Sequence, residues 1–242
     1  MNDLQLLELE QATCLEMVAP HRFAREGGPD FGPGPRVSVF GCAEGSVAAT
    51  RLDVDETTTA AVLELVAHAA AGEGRVGAPG WIADLATLIG ADAAAVGGGP
   101  CFHLSNGLGF DHPARFVAGE SAEGAAMLER FAGDGMPASL VEAGYKSVDD
   151  FWAPWCAAVV DGEVAALCCA ARLSELGAEA GLYAFPPFRG QGFGAAVTAA
   201  WSRLPSLASR TLFYSTSWSN RPSIAVTRRL GLERIGWSAR VG

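Results

Sequence analysis

The chain has 242 residues, half of them apolar and only 18% charged, with a formal net charge of −10 and a pI near 4.8. That is enough apolar chain for one large domain or two small ones. The acidic balance sets aside a global nucleic-acid binder and an anionic membrane surface as partner, and favours a cationic small molecule. Cys14, Cys42, Cys101, Cys156, Cys168 and Cys169 form no CxxC pair, and the four histidines are scattered. Zinc-ligand spacing is therefore absent, no metal is expected, and reduced thiols in a cytoplasmic protein are the natural reading. Residues 1–17 carry Asp3, Glu8, Glu10 and Glu16, where a secretory leader needs a basic start and an unbroken apolar run. The longest apolar stretch, 155–171, is interrupted by Asp161-Gly162-Glu163, too early to span a bilayer.

In chain order, Leu4, Leu6, Leu7, Leu15 and Val18 predict an opening helix that ends near Pro20. Residues 27–35 are rich in Gly and Pro and read as loop. Segments 36–40 and 46–51 read as two strands around a turn at 41–45. Helices follow at 57–71, capped by Thr57, Thr58 or Thr59, and at 81–89. Residues 91–105 are ambiguous because Gly97-Gly98-Gly99-Pro100 interrupts them, with 102–104 a candidate strand. Residues 106–113 read as a seam, 115–118 as a strand, 122–131 as a helix, and Ser147-Val148-Asp149-Asp150 as a helix start or turn. A hairpin at 155–160 and 164–173 turns on Asp161-Gly162. Then come a strand at 179–185, a helix at 192–204 stopped by Pro205, a strand at 211–218, a helix at 220–230 stopped by Gly231, and a strand at 232–241.

From residue 155 the order strand, strand, strand, helix, strand, helix, strand implies an α/β (α+β) layer, mostly antiparallel, with one right-handed crossover. The expected organisation is an N-terminal α/β region, 1–110, and a second domain, 111–242. The hairpin 37–51 echoes the hairpin 156–172, each with an acidic-Gly turn followed by Val-Ala-Ala, so the first half reads as a degenerate copy of the second.

One loop carries the chemistry. Gly190, Gly192 and Gly194 lie between a strand and a helix, where backbone amides and the helix dipole favour a diphosphate. The bland alternative is a helix entry with small residues for packing. A dinucleotide fingerprint also fits Gly190-Gln191-Gly192-Phe193-Gly194-Ala195, but it needs an acidic residue about 20 positions on. Residues 180–232 contain no Asp or Glu, which rejects it. The same stretch holds Arg189, Arg203, Arg210, Arg221, Arg228 and Arg229, a concentration of positive charge that suits the polyanion coenzyme A.

Leu182-Tyr183-Ala184-Phe185-Pro186-Pro187-Phe188-Arg189-Gly190-Gln191-Gly192-Phe193-Gly194 resembles motif A of the GNAT superfamily of N-acetyltransferases. Asn220-Arg221-Pro222-Ser223 and Arg229-Leu230-Gly231-Leu232 resemble its motif B. The resemblance covers about residues 150–242. It implies a GNAT-like fold in which two parallel strands splay and acetyl-CoA lies between them. The backbone of Leu182, Tyr183, Ala184 and Phe185 would hold the pantetheine arm. The amides of Gly190, Gln191, Gly192, Phe193 and Gly194 would hold the diphosphate, with Arg189 directly before the loop as its charged partner, and Asn220 and Ser223 would contact the arm. The acceptor would be a small-molecule amine that attacks the thioester directly.

For proton transfer, Glu179 stands at the start of the pre-loop strand, where the family often carries a carboxylate. The usual Tyr on the motif-B helix falls on Thr227, so Tyr214 and Ser223 are the candidate substitutes on the leaving-group side. Trp152, Trp155 and Trp218 are candidates to line an acceptor cleft, or to sit in the core. The N-terminal half is expected to cover the acceptor side or mediate homodimer contacts. The alternative function is a non-catalytic acyl-CoA-binding or interaction module.

Overall fold

The computed structural model describes residues 1–29, 32–68 and 80–242. In chain order the elements are α1 (Asp3–Cys14), β1 (Leu15–Ala19), β2 (Arg22–Glu26), β3 (Val37–Cys42), β4 (Gly45–Arg51), α2 (Glu56–His68), α3 (Ile82–Leu88) and β5 (Val96–Leu104). They continue with β6 (Arg115–Ala118), α4 (Ala122–Asp134), α5 (Ala138–Glu142), β7 (Trp155–Val160), β8 (Glu163–Leu173) and β9 (Gly177–Ala184). The chain finishes with α6 (Phe193–Trp201), β10 (Thr211–Ser215), α7 (Arg221–Leu230) and β11 (Glu233–Val241).

All the strands join one mixed, mostly antiparallel sheet in the order β1-β2-β4-β3-β11-β5-β10-β9-β8-β7-β6. Its parallel pairs are β2 with β4 and β9 with β10. The middle of the sheet interleaves the chain. β5, from the first half, pairs antiparallel with β10, and β11, the last strand, lies between β5 and β3.

Alternation along the strands assigns the helices to faces. Leu212, Tyr214, Ala178, Ala180, Cys168 and Ala166 point toward α6 and its Phe193, Val197 and Trp201. Trp237, Ala239, Val37 and Val39 face α2 and α3 on the same side of the sheet. On the opposite side, Phe40, Cys101, Phe213 and Ile235 pack under Leu6 and Leu7 of α1. There too Val117, Ala157, Leu167 and Cys169 pack under Met127, Phe131 and Leu140 of α4 and α5. The echoed hairpins are both real, β3–β4 and β7–β8.

Three sequence expectations need correction. The opening helix stops at Cys14 rather than near Pro20. Leu15–Ala19 is an edge strand paired with β2, an element absent from the sequence reading. The cap of α2 is Asp55, whose carboxylate accepts from the Thr58 N–H at 2.9 Å and the Thr58 hydroxyl at 2.7 Å. That helix was expected to run to 71; residues 69–71 lie outside the described residues. The Gly-rich stretch 97–99 is not a break but the start of β5. A Cβ on Gly98 would collide with the Ser238 carbonyl and one on Gly99 with the Thr216 carbonyl, so glycine is what lets these segments close up.

Candidate functional site

β9 and β10 run side by side only from Thr211/Gly177 to Phe213/Glu179. Beyond Glu179 they diverge, and the gap opens onto both faces of the sheet. On the α6/α7 face lies a cavity of about 510 Å³, between the end of β9, the loop at 188–192, the first turn of α6, and α7. On the α1 face lies a smaller recess of about 320 Å³. Leu182, Tyr214, Asn220 and Ser223 border both, so the two meet through the gap.

Eleven of the anticipated residues line the larger cavity: Leu182, Tyr183, Ala184, Arg189, Gly190, Gly192, Phe193, Gly194, Tyr214, Asn220 and Ser223. Phe185 does not. Its ring is fully buried under α4 and α5, and its amide donates to the Ala165 carbonyl at 3.0 Å. Gln191 is exposed, and its side-chain amide donates to the Pro187 carbonyl at 3.0 Å. Glu179 belongs to the recess on the other face.

The loop takes its shape from glycine. Gly190 has φ +79° and Gly192 φ +96°, in the left-handed region, and Gly192 is the N-cap of α6. A Cβ at Gly192 would sit 3.4 Å from the His112 ring. No side chain caps α6, and its first outward bond is Ala196 N–H to the Gly192 carbonyl at 3.1 Å. The amides before Ala196 therefore keep the donor capacity of an open helix start, and they border the cavity. This arrangement fits a diphosphate. Arg229 of α7 also lines the cavity. Arg189 folds back, its Nε donating to the Ala184 carbonyl at 3.0 Å and its guanidinium 5.6 Å from the Tyr183 ring centre. Arg203 and Arg210 are spent on backbone carbonyls, of Leu108 at 2.7 Å and Ser174 at 2.8 Å.

His112, from the expected seam, locks the loop from outside. The Ala114 N–H points at Nδ1 (3.2 Å), which makes Nδ1 the acceptor and leaves Nε2–H to donate to the Gln191 carbonyl at 3.2 Å. Its ring also meets Phe193 edge-on, centres 4.5 Å apart. Nothing in the sequence separates His112 from the other scattered histidines, because its partner Gln191 lies 79 positions away.

Around the gap, the Tyr214 hydroxyl and the Ser223 hydroxyl are 2.8 Å apart. Burial raises the Tyr214 phenol to about 12, against the lowering effect of its bond to Ser223. Thr227 is buried and donates to the Ile224 carbonyl at 2.9 Å, so it faces the core rather than the cavity. Asn220 caps α7 by accepting from the Ser223 N–H at 3.1 Å while bordering both cavities. Glu179 accepts from the Ser215 hydroxyl and, at 3.4 Å, from the Cys14 thiol. Beneath it lies Glu10 of α1, fully buried, with neither carboxylate oxygen hydrogen-bonded among the described residues. Burial first, and then the nearby Glu179 charge, push the Glu10 carboxyl well above the usual range, and burial does the same to the Cys14 thiol. The three tryptophans take no part. Trp155 is core, Trp152 packs beside it, and Trp218 lies against the α2/α3 cluster under Arg234.

No family model and no curated protein matches the chain. Solved structures do. A GCN5-related N-acetyltransferase-like protein from Streptococcus suis aligns at 12% identity over 86% of this chain and 84% of that one, with a TM-score of 0.45. A tandem GNAT protein from the clavulanic acid biosynthesis pathway aligns at 15% identity over 81% and 73%, TM-score 0.43. A GCN5-related N-acetyltransferase from Kribbella flavida aligns at 17% identity over 68% and 64%, TM-score 0.41; the chain spans less than two thirds of that protein's length. Among the described residues no helix is long and apolar enough to cross a membrane.

Proposed function

We propose that the chain is an acetyl-CoA-dependent N-acetyltransferase of the GNAT type, acting on a small amine. The observation that carries this reading is the uncapped start of α6, glycine-shaped and bordering a cavity that reaches the divergence of β9 and β10. Acetyl-CoA supplies an acetyl group activated as a thioester. The residues do the rest. The α6 amides and Arg229 bind the diphosphate, and the β9 backbone orients the arm. The gap beside Leu182 and Tyr214 brings the acceptor amine within reach from the other face. Glu179 is the carboxylate placed to take the amine proton, directly or through water.

The Tyr214–Ser223 pair faces the leaving thiolate. A phenol held near 12 does not protonate a thiolate of ordinary basicity, about 8.5, but it does donate a hydrogen bond to it. The pair therefore stabilises the thiolate in place of the tyrosine that Thr227 does not supply. If instead the chain only binds acyl-CoA, the ligand binds without thiol release on any amine.

Calorimetric titration with acetyl-CoA tests the cradle. Binding at micromolar concentrations is expected, together with its loss in Gly192→Val, whose side chain meets His112 and whose φ is unfavourable. Heat-silent wild type at millimolar ligand, or a correctly folded Gly192→Val that binds as before, overturns the reading.

A further inference from the structure

The recess on the α1 face has a chemistry of its own. It is bordered by one carboxylate, Glu179, by two guanidinium groups, Arg172 and Arg240, and by the hydroxyl-bearing run Ser215, Thr216 and Ser217. Glu179 lies where β9 leaves β10, at the mouth of the gap. Arg240 comes from β11 and Arg172 from the end of β8. Both reach toward Glu26 of β2, Arg172 at 2.7 Å and Arg240 at a looser 3.7 Å. Glu26 is not among the residues bordering the recess, whereas both guanidinium-bearing residues are. The recess thus offers an anionic pole beside the gap and a cationic pole next to it.

We infer that the acceptor is an amine carrying its own carboxylate, an amino-acid-like zwitterion. Its ammonium sits at Glu179 and its carboxylate at Arg240, with the serine and threonine hydroxyls completing the hydrogen bonds. This rests on the acetyl-transfer reading and narrows its acceptor. A volume near 320 Å³ is at the small end for a ligand pocket and suits a single small molecule. A plain amine or polyamine covers the Arg240 guanidinium and adds no anion to its loose 3.7 Å contact with Glu26, which disfavours such acceptors by roughly ten- to a hundredfold. The transfer balances simply. The ammonium gives one proton to Glu179, the nitrogen forms a C–N bond to the acetyl carbon, and the C–S bond breaks to release the CoA thiolate; the second proton leaves the nitrogen at that stage and passes through solvent to the thiolate.

The test uses the full chain with saturating acetyl-CoA and measures thiol release for matched pairs, each amino acid against its decarboxylated amine and its methyl ester. The expected result is a kcat/KM at least tenfold higher for the free amino acid in one or more pairs. Arg240→Gln should erase that preference mainly through KM, and Arg240→Lys should retain part of it. If Arg240→Gln does not fold, the methyl ester reports the same loss on the unaltered protein. Amines preferred over, or equal to, their amino acids across the pairs overturn the inference and leave acetyl transfer standing. Acetyl-CoA binding with no acceptor acetylated also overturns it. A chain that does not bind acetyl-CoA at all, seen in the titration alone, removes the underlying reading as well.

Discussion

Two helices in this molecule follow a strand and a short connection, yet their first turns are finished in opposite ways. At α2 the connection supplies Asp55, which occupies the Thr58 N–H and hydroxyl; those bonds hold the Asp55 carboxyl below its ordinary range. At α6 the N-cap is Gly192, left-handed and with no side chain to offer, and the amides border a cavity. A helix start that serves only stability satisfies its own donors. One that serves a ligand keeps them available and accepts the loss of a cap, about 1 kcal/mol. The charges agree with this contrast. α2 begins with Glu56, complementing its dipole, whereas the first turn of α6 holds no acidic residue.

Three substitutions sharpen or break that comparison. Gly192→Asp gives α6 the kind of plug that α2 has. The carboxylate would occupy the amides and repel a diphosphate, so acetyl-CoA affinity should fall by about a hundredfold or more, more than 2.7 kcal/mol in binding. Unchanged affinity by calorimetry would mean that the helix start is not the cradle. Arg229→Gln removes the exposed cation across the cavity. Affinity should drop by about five- to tenfold at low salt, and its dependence on salt should flatten. An equal loss at every ionic strength would point to a packing role instead. Asp55→Ala uncaps α2 and should lower the midpoint of denaturant unfolding slightly while leaving acetyl-CoA affinity alone. A shift in that affinity would show that the two helix starts are coupled.

The loop was legible because its requirements are local. Three alternating glycines, a preceding Pro-Pro and a following apolar run each state a backbone need within a few residues. The helix α7 was equally plain from Asn220 at one end and Gly231 at the other. The edge strand β1 was not, because Leu15 and Val18 continue the helical spacing of Leu4 and Leu7. Only pairing with Arg22–Glu26 turns them into strand. β5 was obscured by glycines whose purpose, close approach to residues 216 and 238, appears only in three dimensions. At the site, Glu179 could be named from its place on the pre-loop strand, and Tyr214 and Ser223 as substitutes for the tyrosine missing at Thr227, all through the family resemblance. Glu10, Arg172, Arg240 and His112 could not, since each reaches the region from a different part of the chain.

The exchange of β5 and β11 ties the two halves of the chain together. Both neighbours of each of these strands come from the other side of residue 110: β5 lies between β10 and β11, and β11 lies between β3 and β5. The hydrogen bonds of both central strands thus cross from one half to the other, so stripping either half away would leave the remainder with a raw, sticky margin through the middle of its sheet. The long first half is thereby part of the scaffold that sets the site's geometry. Arg240, at the far end of β11, stands beside Glu179 because its strand is held in place by residues laid down at the beginning of the chain.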